Sequence, residues 1–209
     1  MSRANSRREP TLEHMPSKGI FCLEGEWEDR LTDKLSVRPG LDMLMTIRED
    51  RLIHRNAATS AEFKHYFTKW TSHRYDAFPL AYLSCHGRRG RVWLGGDELS
   101  LAEIADMVER PLSKRVIYFG SCGTLAASDD ELADFVARTG VRAVVGYVGN
   151  VSWSESAAFD LTLLPELLDS VDMRKMFTRL RDRHPHFVDG LGLRIATASW
   201  VSPRSLSAA

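Results

Sequence analysis

Apolar runs at residues 20–23, 41–47, 78–85, 115–120, 141–148 and 193–198 punctuate an otherwise mixed chain. The runs at 78, 115 and 141 are apolar at successive positions, not alternate ones, the pattern of strands buried on both faces. Between the runs lie stretches whose helix starts are legible. Thr59 and Glu62 have the spacing of a capping box, in which a hydroxyl takes the third amide and a carboxylate reaches back. Phe63, Phe67 and Trp70 then fall on one face. Ser100 with Glu103 repeats the device ahead of Leu101, Ile104, Ala105 and Val108. Ser128 with Glu131 does so again, with Leu132, Phe135 and Val136 on one face and Gly140 at the stop. Helical spacing resumes over 152–168, where Pro165 is expected to kink the helix or open a new one, and over 171–183. Strands alternating with helices predict right-handed crossovers and a mostly parallel sheet with helices on both faces. The expected class is α/β.

The chain has 209 residues, the length of a single domain with a full core. Residues 1–18 are polar and basic, with Arg3, Arg7 and Arg8, and read as a flexible tail ahead of a domain over 19–200. Residues 201–209 read as a loose end. Lys plus Arg equals Asp plus Glu at 28 each, so no global field draws nucleic acid or anionic lipid. The leading residues contain no apolar stretch, and no run approaches the ~20 residues of a spanning helix, so neither secretion nor membrane insertion is expected. Three cysteines do not make a disulfide framework and suit a reducing compartment, so a cytoplasmic location is expected.

Chemistry in α/β sheets gathers past the carboxyl ends of the strands. The run ending at Cys85 hands over to His86-Gly87, and the run ending at Gly120 hands over to Ser121-Cys122-Gly123. These strands belong to consecutive units and are expected side by side, which brings an imidazole towards a thiol. A free thiol near pKa 8.5 is only a few per cent thiolate at neutral pH. A neighbouring imidazole takes the proton and later returns one to a leaving amine. Gly87 and Gly123 let backbone amides approach a substrate carbonyl. Either residue alone has an ordinary explanation, packing for the cysteine and a turn for the histidine. Their conjunction, in the order His before Cys, carries the catalytic reading. Cys22 and Cys85 sit inside apolar runs and are assigned to the core.

Four stretches together resemble the caspase-like cysteine peptidases, the clan of caspases, separases and bacterial CHAT-domain proteases. They are LSCHG at 83–87, GGDELSLAEIADMV at 95–108, VIYFGSCGT at 116–124 and VRAVVGYVGNVSWSESAAF at 141–159. The resemblance implies Cys122 as nucleophile, His86 as general base, and the amides of Gly87 and Cys122 as the oxyanion hole. The flanks Gly120-Ser121 and Gly123-Thr124 depart from the caspase signature, and the His-to-Cys interval is shorter than its ~50 residues. The bacterial CHAT branch therefore fits better, and cleavage after aspartate is in doubt. In that branch an acidic residue beyond the fifth strand helps select the side chain before the cut bond. Glu155 stands nearest, with Asp129 and Asp130 as rivals and Trp153 as a wall. A basic residue would then be preferred, although Glu155 equally completes a capping box with Ser152. The resemblance implies no metal or organic cofactor, and a protein substrate. It also implies a separate activating partner or target protein, in a bacterial stress or phage-defence pathway.

Other chemistries lack their parts. There is no Walker loop, GxGxxG, HExxH or CxxC. The Gly that directly follows Cys122 is not the G-x-C-x-G of a hydrolase elbow, and papain-like enzymes put cysteine first. His184 and His186 flank Pro185 and read as surface residues, as do His65 and His73 at a helix end. Arg88, Arg89 and Arg91 form a solvated loop or receive an acidic segment. Two alternatives to an endopeptidase stay open: a catalytically silent interaction module, and a thiol-dependent small-molecule hydrolase or acyl transferase.

Overall fold

The computed structural model describes residues 18–204. The chain opens with β1 (Gly19–Glu24), α1 (Arg38–Arg48), β2 (Arg51–Asn56), α2 (Ser60–Thr71) and β3 (Leu80–Ser84). A small excursion follows, β4 (His86–Arg88), β5 (Arg91–Leu94) and β6 (Asp97–Ser100), which runs into the short helix α3 (Leu101–Ala105). The second half comprises β7 (Val116–Gly120), α4 (Asp129–Thr139), β8 (Ala143–Tyr147), α5 (Trp153–Asp169), α6 (Met173–Arg183), α7 (Pro185–Gly190), β9 (Leu193–Thr197) and β10 (Trp200–Val201).

Seven strands form one sheet in the order β10-β9-β8-β7-β3-β1-β2, and β4, β5 and β6 form a separate antiparallel sheet. From β2 to β8 every neighbour is parallel; β9 and β10 run antiparallel. Alternate strand residues go to opposite faces, and both faces are covered. Ile20, Cys22, Tyr82, Tyr118 and Val145 pack with α1, α5 and α6. Phe21, Leu23, Leu83, Phe119 and Val144 pack with α2, α3 and α4. Phe63, Phe67 and Trp70 are fully buried, each such side chain contributing about 1.5–3 kcal/mol. All three anticipated capping boxes form, at Thr59, Ser100 and Ser128, and Gly140 ends α4 in the left-handed conformation. The α/β class with a mostly parallel central sheet is as expected.

Several elements differ from the sequence expectation. The apolar run at 41–47 lies in α1, where Leu41, Leu44 and Met45 face the core at helical spacing while Met43 and Ile47 are exposed. The second strand is instead β2, a sheet edge too polar to stand out. Of the two outcomes expected at Pro165, a new helix does not open there: α5 runs through it. The Ser152 hydroxyl makes no capping bond to α5. His184-Pro185-His186 opens α7, with proline at the helix start where its missing amide costs nothing. The end of the chain is not loose from residue 201. The Ser202 amide donates to the Ile195 carbonyl, its hydroxyl accepts from the Ile195 amide, and Arg204 reaches the Ala127 carbonyl at 2.7 Å. The expected tail at 1–18 lies outside the described residues except for Lys18, whose ammonium meets the Leu168 carbonyl at 2.8 Å.

The chain leaves β1 towards β2 on one side and continues through β3, β7 and β8 on the other. The sheet order therefore reverses between β1 and β3. A crevice opens past the strand ends at such a reversal, because the connections on either side diverge to opposite faces.

Candidate active site

The crevice at this reversal is a cleft of about 830 Å³ with His86, Gly87 and Cys122 on its walls. β3 delivers Ser84 to the rim, and two residues later His86 opens β4. β7 pairs with β3 in parallel, Ser84 opposite Gly120, so both strand ends reach the rim at the same level. Cys122 follows two residues after Gly120.

Backbone contacts lock the two loops together. A Cβ on Gly87 would stand 2.5 Å from Thr124 Oγ1 and 2.8 Å from the Cys122 carbonyl oxygen, so only glycine lets the chains meet this closely. The Thr124 hydroxyl donates to the Arg91 carbonyl at 3.1 Å and lies 2.7 Å from Ser121 Oγ. The Gly90 amide donates to the Thr124 carbonyl. The β4–β5 hairpin is thereby bolted to the cysteine loop. Gly123 takes φ +62 and donates to the Gly149 carbonyl at 2.9 Å.

The three cysteines occupy different environments. Cys22 and Cys85 are buried, and burial pushes the Cys85 thiol up to about 12 and raises the Cys22 thiol well above its ordinary value. Neither is available as a thiolate. Cys122 is half-buried; the Val151 amide points at its sulfur from 3.4 Å, and the thiol in turn faces the Val151 carbonyl at 3.8 Å. No acceptor among the described residues takes the Cys122 amide, which leaves it available to an oxyanion.

His86 Nε2 lies 2.7 Å from the Trp27 carbonyl oxygen. A carbonyl only accepts, so Nε2 carries the hydrogen, and in the neutral ring Nδ1 keeps the lone pair that takes a proton. The indole of Trp27 meets the imidazole edge-on, with centroids 5.4 Å apart. The ring is thus held by a hydrogen bond at one nitrogen and by an aromatic edge, while the Cys122 sulfur has its hydrogen-bond contacts with Val151 and not with His86.

The residues expected to select the substrate lie elsewhere. Glu155 is exposed on α5, with the His186 imidazole 3.6 Å away. Asp129 starts α4 and pairs with the buried Arg194. Trp153 borders a separate cavity of about 140 Å³ above Asp160. None of the three lines the cleft with Cys122. Its acidic side chains are Glu26, Glu28 and Asp29, on the loop after β1, and among the described residues no Lys or Arg lines it. These were not anticipated. The signal available was the run GEWED directly after the first apolar strand, which belongs to the crevice only once β1 is known to neighbour β3.

Below the sheet rim, Asp160 of α5 is buried and accepts from the hydroxyls of Tyr82 at 2.5 Å and Tyr118 at 2.7 Å. Tyr147 Oη is 2.8 Å from Tyr118 Oη. Burial lifts the Asp160 carboxyl to about 7, against the pull of the two hydroxyls. Among the described residues no group of His, Cys, Asp or Glu converges in the manner of metal ligands, and no helix is long and apolar enough to cross a membrane.

Fold and crevice together define an α/β domain with an accessible thiol and an oriented imidazole at a topological switch point. The chain belongs to DUF6642, a family of unknown function whose profile matches residues 17–196. No curated protein matches the chain.

Proposed function

We propose that the protein is a cysteine endopeptidase acting through Cys122 and His86. One observation carries the reading: the single half-buried cysteine and a histidine clamped in one tautomer share a cleft at the ends of adjacent parallel strands. The caspase-like resemblance of the flanking motifs supports peptide bonds as the target. In the proposed cycle His86 Nδ1 takes the thiol proton, and the sulfur attacks the scissile carbonyl carbon to form a C–S bond. The amides of Gly87 and Cys122 receive the oxyanion. Collapse breaks the C–N bond, and the imidazolium gives its proton to the departing amine. Water, deprotonated by the same ring, then releases the acyl group and restores the thiol. Glu26, Glu28 and Asp29 take over the selective role first assigned to Glu155, and favour segments carrying Lys or Arg. A separate protein activator and a place in bacterial defence belong to the same proposal.

Iodoacetamide alkylation of each cysteine, mapped by peptide mass from about pH 5 to about pH 9, tests the chemistry without a substrate. The expected outcome is a Cys122 that reacts fastest near pH 6–7 and loses at least about tenfold of that rate in His86→Ala. Cys22 and Cys85 stay unmodified in the folded protein. Equal Cys122 rates in both proteins would leave an interaction module as the better reading.

A further inference from the structure

Glu24, the last residue of β1, is only 1% exposed. A carboxylate taken out of water must have its oxygens filled by donors. Glu24 has four. The Trp27 indole N–H and the Val37 amide donate to one oxygen, both at 2.8 Å. The Ser36 hydroxyl donates to the other at 2.7 Å, and His54 Nε2 of β2 stands at the same distance from it. These bonds hold the carboxyl below its ordinary range against the burial that would raise it.

The donors are not scattered. Trp27 lies near the start of the loop that leaves β1, and Ser36 and Val37 lie at its end, so one carboxylate ties both ends of the segment that walls the cleft. Trp27 is also the residue whose carbonyl holds His86. Its indole is anchored to Glu24, its carbonyl faces His86 Nε2, and its ring packs against the imidazole. The chain from carboxylate to imidazole is therefore continuous.

We propose that Glu24 is the positioning residue of the site: acting through Trp27, it aims the carbonyl that fixes the His86 ring and its tautomer. The inference rests on the Cys122–His86 chemistry for its consequence, but not for its geometry. An apolar residue would fill this place with less desolvation; a carboxylate gathers three segments, β2, the start of the loop and its end, onto one point.

The test uses Trp27→Phe and Glu24→Gln in the full chain, with two readouts. One is the tautomer of His86, followed by ¹⁵N chemical shifts of labelled histidine; the other is the pH profile of Cys122 alkylation. Trp27→Phe keeps the carbonyl and an aromatic ring beside His86 while removing the indole donor to Glu24, so it decides the matter if Glu24→Gln does not fold. The expected result is a His86 that loses its pure Nε2–H form in both variants. Cys122 alkylation near pH 6.5 then falls about fivefold, the worth of one hydrogen bond. A purely structural Glu24 would lower the melting temperature and leave both readouts unchanged, and that result overturns the proposal. If the tautomer shifts in Trp27→Phe while wild type and His86→Ala alkylate alike, the positioning network stands and the peptidase reading falls.

Discussion

Asp160 shows what one buried side chain does to the whole chain's pH response. Its carboxyl titrates at about 7 in the fold against an ordinary 3.8. Between those values the folded state holds a proton that the unfolded chain releases. Its contribution to stability is fully present below about pH 4, declines as pH rises, and levels off above about 7. Asp160→Asn has no such proton to lose. Urea unfolding from about pH 4 to about pH 8 is expected to show the variant gaining on wild type by up to about 4 kcal/mol, with no further change above 7. At this scale the sequence was partly legible. His86 and Cys122 stood out because each ends an apolar strand beside a glycine. Glu24 and Asp160 did not, since a carboxylate inside an apolar stretch declares neither its burial nor its donors.

Elements are held by a few buried bridges. Arg194 of β9 is 1% exposed and donates to the carbonyls of Leu125 at 2.8 Å and Ala127 at 2.6 Å, besides pairing with Asp129. It anchors the turn that follows the cysteine loop to the antiparallel strand on the far side of β8. Desolvation and the neighbouring Arg204 lower its affinity for a proton, and Asp129 counters that only in part. Arg194→Met keeps the bulk and strands those acceptors, so a loss of about 3 kcal/mol is expected in chemical denaturation. Three helices, α2, α3 and α4, were readable from their capping boxes, whose hydroxyl and carboxylate sit at a fixed spacing. β2 was not, because an edge strand need not be apolar. The run at 41–47 does not declare its helix, because a short apolar run fits both periods. The β4–β6 sheet escaped notice for a related reason: its strands are three or four residues long, too short for alternation to register.

Across the molecule, a net charge of zero hides a local imbalance. Among the described residues the cleft is lined by Glu26, Glu28 and Asp29 and by no Lys or Arg; Glu28 is paired with Arg30 at 3.3 Å, and the Arg88 side chain on the nearby hairpin is engaged by Glu98 at 2.6 Å. A field confined to one crevice steers cationic segments and is screened beyond about 10 Å at 0.1 M salt. On the proposed peptidase activity, kcat/KM for peptides with Lys or Arg is expected to fall about threefold between ~50 and ~300 mM salt, and to fall in Glu26→Gln; neutral peptides should show neither change. The fold class followed from strand and helix alternation. What placed these three residues in the crevice was the strand order, and no local pattern encodes it.

The burial of Cys22 and Cys85 has a practical side. Without any engineering, the native chain offers a single handle for attaching a dye or spin probe, seated on the wall of the cleft. A reporter there would light up or dim as the crevice fills, closes or is covered. Candidate ligands and binding partners can thus be screened on the native sequence, labelled at one position, without a turnover assay.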